Sequence, residues 1–286
     1  MRTRRRRWLV NGGLLAVAGA LALLLVFEPG KQPETPAPTL ASLIPGEITH
    51  LKIELPERPV IELVKRGDTR WDLTAPLQAP GEAPRAQTLA FIPQLPAADP
   101  IPAEGRDLKP FGLAPPQAVL TLNDTRVEFG DTHPLDHRRY VRIGEKIFLL
   151  EDSHYHLMHA GVAGFISRRL TPEGARIESI AWPKGKLRRA DQEGEWRFEP
   201  PLEGVSAERL RAAAGLWASE TALWAAAAPP AAEGAAPLPR LEINLKDQPP
   251  LVYEIVSEEP ELVLRHTGLR IDFHISSHSA KTLLLK

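Results

Sequence analysis

Two short stretches of the chain echo each other: TRWDLTAPLQAPG at residues 69–81 and GEWRFEPPLEG at residues 194–204. Each carries a Trp, an apolar residue two positions later, and Pro-Leu five and six positions later. A chain that repeats itself over the 125 residues from Trp71 to Trp196 is constrained to build one unit twice, and that narrows its folds more than any composition does. Around the two tryptophans the pattern continues in register. Before Trp71, residues 48–55 and 60–66 read as two strands joined to a third by a Gly67-Asp68 turn; before Trp196 the segment RIESIAWPKGKLRRADQEGEW repeats the arrangement. After each Pro-Leu comes a helical segment, APRAQTLAFIPQL in the first copy and SAERLRAAAGLWASETALWAAAA in the second, where Ser206 is placed to cap. In the second, Leu210, Ala213, Trp217, Thr221 and Trp224 fall on one helical stripe, which predicts a buried face carrying both tryptophans. Four alternating segments close each copy: AVLTLND, RVEFGD, YVRIGE and KIFLLED, then PRLEINLKD, LVYEIVSEE, ELVLRHTG and LRIDFHIS. Alternation of apolar and polar residues with Gly, Asp or Asn between runs is the mark of an antiparallel meander with one wet face. The expected fold is therefore α+β, with two tandem duplicated domains, each an antiparallel β-meander with one or two helices. They span residues 47–172 and 173–286, the second as a degenerate copy.

Composition sharpens this. The 286 residues include 29 prolines, far above the usual ~5%, so turns, edge strands and extended spacers are favoured over long helices. There is no cysteine, which removes disulfides, thiolate metal sites and a Cys nucleophile together. The formal charge of −1 conceals an asymmetry, because Arg2, Arg4, Arg5, Arg6 and Arg7 stand at one end and no acid precedes Glu28. The remainder is acidic overall, so no nucleic-acid partner is expected.

Residues 8–27, WLVNGGLLAVAGALALLLVF, contain no charge. At 1.5 Å rise per residue, a helix of that length crosses about 30 Å of hydrocarbon. The expected organisation is a cytoplasmic basic tail over 1–7, an N-terminal transmembrane helix over 8–27 and a Pro-rich linker over 28–46. The anchor is carried by Trp8 at the interface and by Leu9, Leu14, Leu15, Leu21, Leu24 and Phe27 within it. Membrane lipid is then one partner through this helix, and the location is the inner membrane of a bacterium, single-pass, with the N-terminus cytoplasmic and the body periplasmic. The small-x-small triplet at Ala20 to Ala22 offers the alternative of a cleaved signal peptide, although the apolar run exceeds the 7 to 15 residues usual for one.

Several motifs of the first half, WDLTAPL, PFGLAPPQAVLTL, FGD at 129–131, YVR at 140–142, IFLL at 147–150 and SRRL at 167–170, resemble the bacterial domain of unknown function 4340. The likeness covers about residues 48–170 well and the second half loosely, which lacks the Tyr-Val-Arg and Gly-Leu-x-Pro signatures. The resemblance implies an envelope protein associated with gliding-motility-type ABC transporters, with a transporter subunit as a membrane-protein partner. It carries over no catalytic residue and no cofactor. Its matched positions are Gly112 and Gly130 as turn formers, Phe111 and Leu113 as packing, and Tyr140 and Phe148 as strand interior, joined by Trp71 and Trp196 as the expected repeat core.

No hydrolase elbow, zinc-protease or phosphate-binding motif occurs, so the expected protein is not an enzyme. The sharpest anomaly is HYHLMH, with His154, His156 and His159 preceded by Glu151 and Asp152. In extended chain the first pair shares a face and in a helix the second does, so either could hold a transition metal. A metal needs three or four convergent ligands, and the loop DTHPLDH, with Asp131, His133, Asp136 and His137, could add to them or be a simple turn. His274 and His278 lack the Glu that a zinc protease places between its histidines. Arg138, Arg139, Arg168, Arg169 and Lys184 to Arg189 could form a basic surface or solvated strand faces, and Trp71, Trp182 and Trp196 could offer a sugar-stacking platform or be core. The leading reading is an accessory or scaffold component of a membrane complex. The alternative is a periplasmic module binding a metal or a cell-wall polymer. The anchor yields one direct expectation: after alkaline carbonate extraction the full-length chain stays with the membrane pellet, whereas a soluble product beginning after Ala22 would mark a cleaved signal.

Overall fold

The computed structural model describes residues 13, 17–19 and 39–286, apart from 98–99, 136, 152, 191–194 and 231–235. The anchor residues Trp8, Leu9, Leu14, Leu15, Leu21, Leu24 and Phe27 lie outside the described residues, as do Asp136 and Asp152. Among the described residues no helix is long and apolar enough to cross a membrane. The chain divides into two compact units, residues 1–38 and 39–286.

The second unit is mostly antiparallel β-structure with a few short helices. Its first sheet starts with a meander of β1 (His50–Glu54), β2 (Ile61–Arg66) and β3 (Arg70–Ala75), extended by the two-residue β4 (Ala79–Pro80). Helix α1 (Ala83–Ala90) follows, then β5 (Ile101–Pro102), then β6 (Ala118–Leu122), β7 (Thr125–Thr132), β8 (Arg139–Ile143) and β9 (Lys146–Leu150), with the one-turn α2 (Tyr155–Met158) after them. The sheet order is β4-β3-β2-β1-β6-β7-β8-β9-β5. The second sheet is built the same way, from β10 (Ile177–Trp182), β11 (Gly185–Arg189) and β12 (Trp196–Glu199), helix α3 (Ala207–Ser219), and β13 (Trp224–Ala227). Strands β14 (Arg240–Leu245), β15 (Leu251–Ser257), β16 (Leu262–His266) and β17 (Ile271–Ile275) and helix α4 (Ser277–Leu283) complete it, in the order β12-β11-β10-β14-β15-β16-β17-β13. In each sheet the first strand of the chain pairs with the first strand of the later meander, and the strand after the helix closes the far edge against the last.

The period-2 patterns explain why these residues are strands. Leu51 and Ile53 on β1, Ile61 and Leu63 on β2, and Trp71 and Leu73 on β3 are buried while their neighbours face outward. Most buried side chains of both sheets join one contiguous apolar cluster running from Leu40 to Leu284, and Ile147 of β9 forms a small second cluster with Ala103 and Leu113. The helices stop where their chemistry says they should. Helix α1 ends at Ala90 ahead of Pro93, which sits in a short 3-10 turn, and α3 begins at Ser206, whose hydroxyl accepts from the Arg209 amide at 3.3 Å. The second helix is shorter than its apolar stripe. It ends at Ser219 because Thr221 leaves it to bridge to Arg169, so Trp217 is helical and fully buried while Trp224 lies on the edge strand β13, 45% exposed.

Gly112 and Gly130 are held by different constraints. Gly112 is left-handed at φ 65° and ends a 3-10 turn, whereas Gly130 lies inside β7, where an added Cβ would stand 2.1 Å from the Phe111 carbonyl oxygen. Gly130 is thus a point of close backbone approach rather than the turn former expected.

Charged residues bind neighbouring strands at matched places. Glu128 on β7 is buried opposite Arg142 on β8, receiving Arg142 Nε at 2.5 Å and Arg126 Nε at 2.8 Å. In the second sheet Glu254 on β15 stands opposite Arg265 on β16, and Arg265 makes a two-pronged bond to buried Asp272 at 2.7 and 2.9 Å. Burial alone would raise the Glu128 carboxyl; the hydrogen bonds from Arg142 and Arg126, with their charges, outweigh it and hold the group below its usual range. A depressed carboxylate stabilises the fold above its unfolded pKa, and the contribution is lost as pH falls through the folded value. Glu128→Gln should therefore lower stability by about 1–3 kcal/mol at pH 7, with the difference from wild type shrinking on acidification, as chemical denaturation at several pH values would measure.

Candidate functional site

The histidine cluster forms where the β9 strand ends and the chain turns into α2. His154 precedes the helix and its Nδ1 lies 2.7 Å from Ser153 Oγ; His156 is exposed on the single turn; His159 follows it. The His159 ring rests against Tyr155 at 4.6 Å between centroids. The Arg139 guanidinium stands over the Tyr155 ring, 3.6 Å from its centroid. Arg139 is itself buried and donates to Gly130 O at 2.5 Å, Thr132 Oγ1 at 3.2 Å and Gln117 Oε1 at 3.4 Å, and Gln117 in turn bonds Asp131. Arg58 reaches in from the β1–β2 turn to the His159 carbonyl at 3.2 Å.

This arrangement is cationic. Burial lowers the His159 pKa first, and the charges of Arg58, Arg139 and His156 lower it further; burial and then His156 lower that of His154. Among the described residues no group of three or more His, Asp or Glu is placed to hold a metal ion. The one-turn helix separates its histidines instead of converging them: His159 turns to Tyr155 and His154 to Ser153. The DTHPLDH loop is a turn, with the Leu135 amide donating to His133 Nδ1 at 3.3 Å and His137 left-handed at φ 59°.

The other candidates are dispersed as well. Trp71 is fully buried and Trp182 nearly so, while Trp196 is half-buried with the Arg189 guanidinium 5.8 Å from its ring, so the three make no common platform. Phe148 is buried and Tyr140 half-buried, edge-on to Phe111 at 5.0 Å. The arginines of the expected basic surface are each engaged locally: Arg168 with Glu82 at 3.6 Å, Arg169 with the Ala218 carbonyl at 3.4 Å, and Arg188 with Glu199 at 2.5 Å. An aromatic surface does exist where the stripe had predicted core. Trp224 stacks flat on its cross-strand partner His274, with centroids 3.5 Å apart and planes 13° apart, and His274 Nδ1 lies 3.4 Å from Glu261. Its signal in the sequence was the His and Trp facing each other on adjacent strands, legible only once the register is known.

Comparison of the chain with known protein families, with curated proteins and with solved structures finds no match. The cationic setting of the cluster gives a direct test: in an NMR titration, His154 and His159 should titrate below the usual histidine range and be neutral at pH 7, and an Arg58→Ala variant should move His159 upward.

Proposed function

We propose that this chain is a non-enzymatic accessory or scaffold component of a membrane complex of the ABC-transporter kind. In this reading it is held in a bacterial inner membrane by a single span over residues 8–27, with its body in the periplasm, and it belongs with the domain of unknown function 4340. The observation that carries the proposal is the combination of an uncharged 20-residue run behind five arginines with a body of two like-ordered sheets. Duplication of one ancestral unit is part of it. The repeated strand order and the matched cross-strand pairs Glu128 with Arg142 and Glu254 with Arg265 support it. Broad sheets stitched together serve a scaffold, which must present fixed surfaces to more than one neighbour.

A second reading, a periplasmic module binding a cell-wall polymer, is favoured by one feature, the exposed Trp224 held flat on His274. One experiment separates the two. A tag after Lys286, crosslinking in native membranes, detergent extraction and mass spectrometry should recover a transporter permease or auxiliary subunit with the chain. Recovery of the intact chain alone would remove the scaffold proposal and direct attention to Trp224.

A further inference from the structure

We infer that strand β12, the open edge of the second sheet, is the docking strand for an extended segment of a partner protein, held by backbone pairing as one further strand. The first half shows the same position filled from within. There β4 runs beside β3, with Leu73 opposite Ala79 and Asp72 opposite Pro80, and the Gly81 amide donates to the Trp71 carbonyl at 2.7 Å. The second copy is two residues shorter between its Trp and the glycine that follows Pro-Leu, and among the described residues it lays down no such strand. After Glu199 the chain closes a turn, the Val205 amide donating to the Leu202 carbonyl at 3.5 Å, and enters helix α3. Strand β12 therefore ends the sheet.

Along an antiparallel strand, successive residues turn their backbone groups alternately to the neighbour on one side and the other. The Ala190 amide donates to the Glu195 carbonyl at 2.8 Å, and Arg188 and Lys186 stand opposite Arg197 and Glu199, so Glu195, Arg197 and Glu199 turn their backbone to β11. The amides and carbonyls of Trp196 and Phe198 point to the other side, where among the described residues no backbone group takes them up. Their counterparts Trp71 and Leu73 are the residues that Gly81 and Ala79 engage. Trp196 stays half-buried where Trp71 is fully buried, so an added strand also finds indole surface to cover.

The side chains define the segment. Glu195, Arg197 and Glu199 are exposed on one face of β12, and Phe198 is buried on the other. A second copy of the chain is disfavoured by charge. Pairing β12 with itself about a two-fold axis, Trp196 opposite Phe198 of the other copy, sets Arg197 against Arg197 and Glu195 against Glu199. The complementary strand carries a cation, an anion and a cation at alternate positions, an order that reads the same in either direction. The contact of Arg197 with Glu195, 3.6 Å between side chains 65% and 58% exposed, is weak enough to exchange for such a partner. Small apolar residues belong between the charges, as Ala79 stands opposite Leu73 in the first half. The inference rests on the scaffold reading only in taking the segment to come from a protein neighbour.

The test uses the full-length chain in lipid nanodiscs and a cyclised, fluorescent β-hairpin peptide whose outer strand reads Lys-Ala-Glu-Val-Lys. In the free chain the Phe198 amide should exchange its hydrogen at least about tenfold faster than the Leu73 amide. Anisotropy should then report saturable binding of the hairpin, with new exchange protection within residues 195–199 and none within 70–75. Methylating the Ala and Val amides of the hairpin, which face β12 in the paired strand, should weaken binding at least about tenfold. Arg197→Glu, at an exposed position, should weaken binding of this hairpin about threefold and strengthen that of one reading Lys-Ala-Lys-Val-Lys. The proposal is overturned by equal exchange of Phe198 and Leu73, by absence of binding, by a methylated hairpin that binds as well, or by a preference that Arg197→Glu leaves unchanged. No transporter enters this experiment, so its failure and that of the membrane pull-down are told apart.

Discussion

Everything in the body hangs on a strip of seven residues, 165–171, whose backbone is claimed from both sides. On one flank the Glu82 amide donates to the Phe165 carbonyl at 2.9 Å, the Ser167 amide to Pro80 at 2.7 Å, and Ile166 bridges to Gly81, which ties the strip to the edge of the first sheet. On the other flank the Ala222 amide donates to Arg168 at 2.8 Å, the Leu170 amide to Glu220 at 3.3 Å, and Arg169 bridges to Thr221. Two buried side chains finish the seam. Thr171 Oγ1 reaches the Trp217 carbonyl at 3.1 Å, and the Tyr253 hydroxyl donates to the Leu170 carbonyl, its own ionisation pushed up by complete burial. A connector of this length left free would let two sheets move independently. With its donors and acceptors satisfied alternately by each, it behaves as shared structure, and Phe165, Ile166 and Leu170 enter the common core.

The strip also explains why the second helix is cut short. A stripe of Leu210, Ala213 and Trp217 predicts a helix running on to Trp224, and local propensity gives no reason to stop. The reason is nonlocal: residues 220–222 are needed as partners for 168–170, so the chain turns extended at Glu220, and Trp224 is carried out to the sheet edge. Burial of one tryptophan and exposure of the other are consequences of the same seam.

The strands were legible because a period of two survives in a single sequence: β1 to β3 and β14 alternate buried and outward residues as expected. The expectation of one wet face fails on β6, β9, β16 and β17, where consecutive residues are buried because both faces of those strands are covered. The candidate site was not. HYHLMH announces three imidazoles but says nothing of Arg58 and Arg139, which arrive from 101 and 20 positions away and make the place cationic. Lys65 and Trp71 likewise read as a basic strand residue and a core aromatic. Their direct pairing across β2 and β3 appears only once the register is known.

The two halves differ in how they bury their tryptophans while their strand orders stay alike. Both sheets keep a glutamate facing an arginine on the second and third strands of the meander, and both keep a cation facing the first tryptophan, since these pairs tie strands whose register the fold requires. The packing around the two indoles is under no such demand: Trp71 is fully buried because β4 continues the first sheet past β3, whereas Trp196 lies on the edge strand β12 and stays half-buried beside the Arg189 guanidinium. A slip of one residue would turn every side chain of a strand to the other face, so the register pairs are held alike, while the volume around each indole can be filled in more than one way.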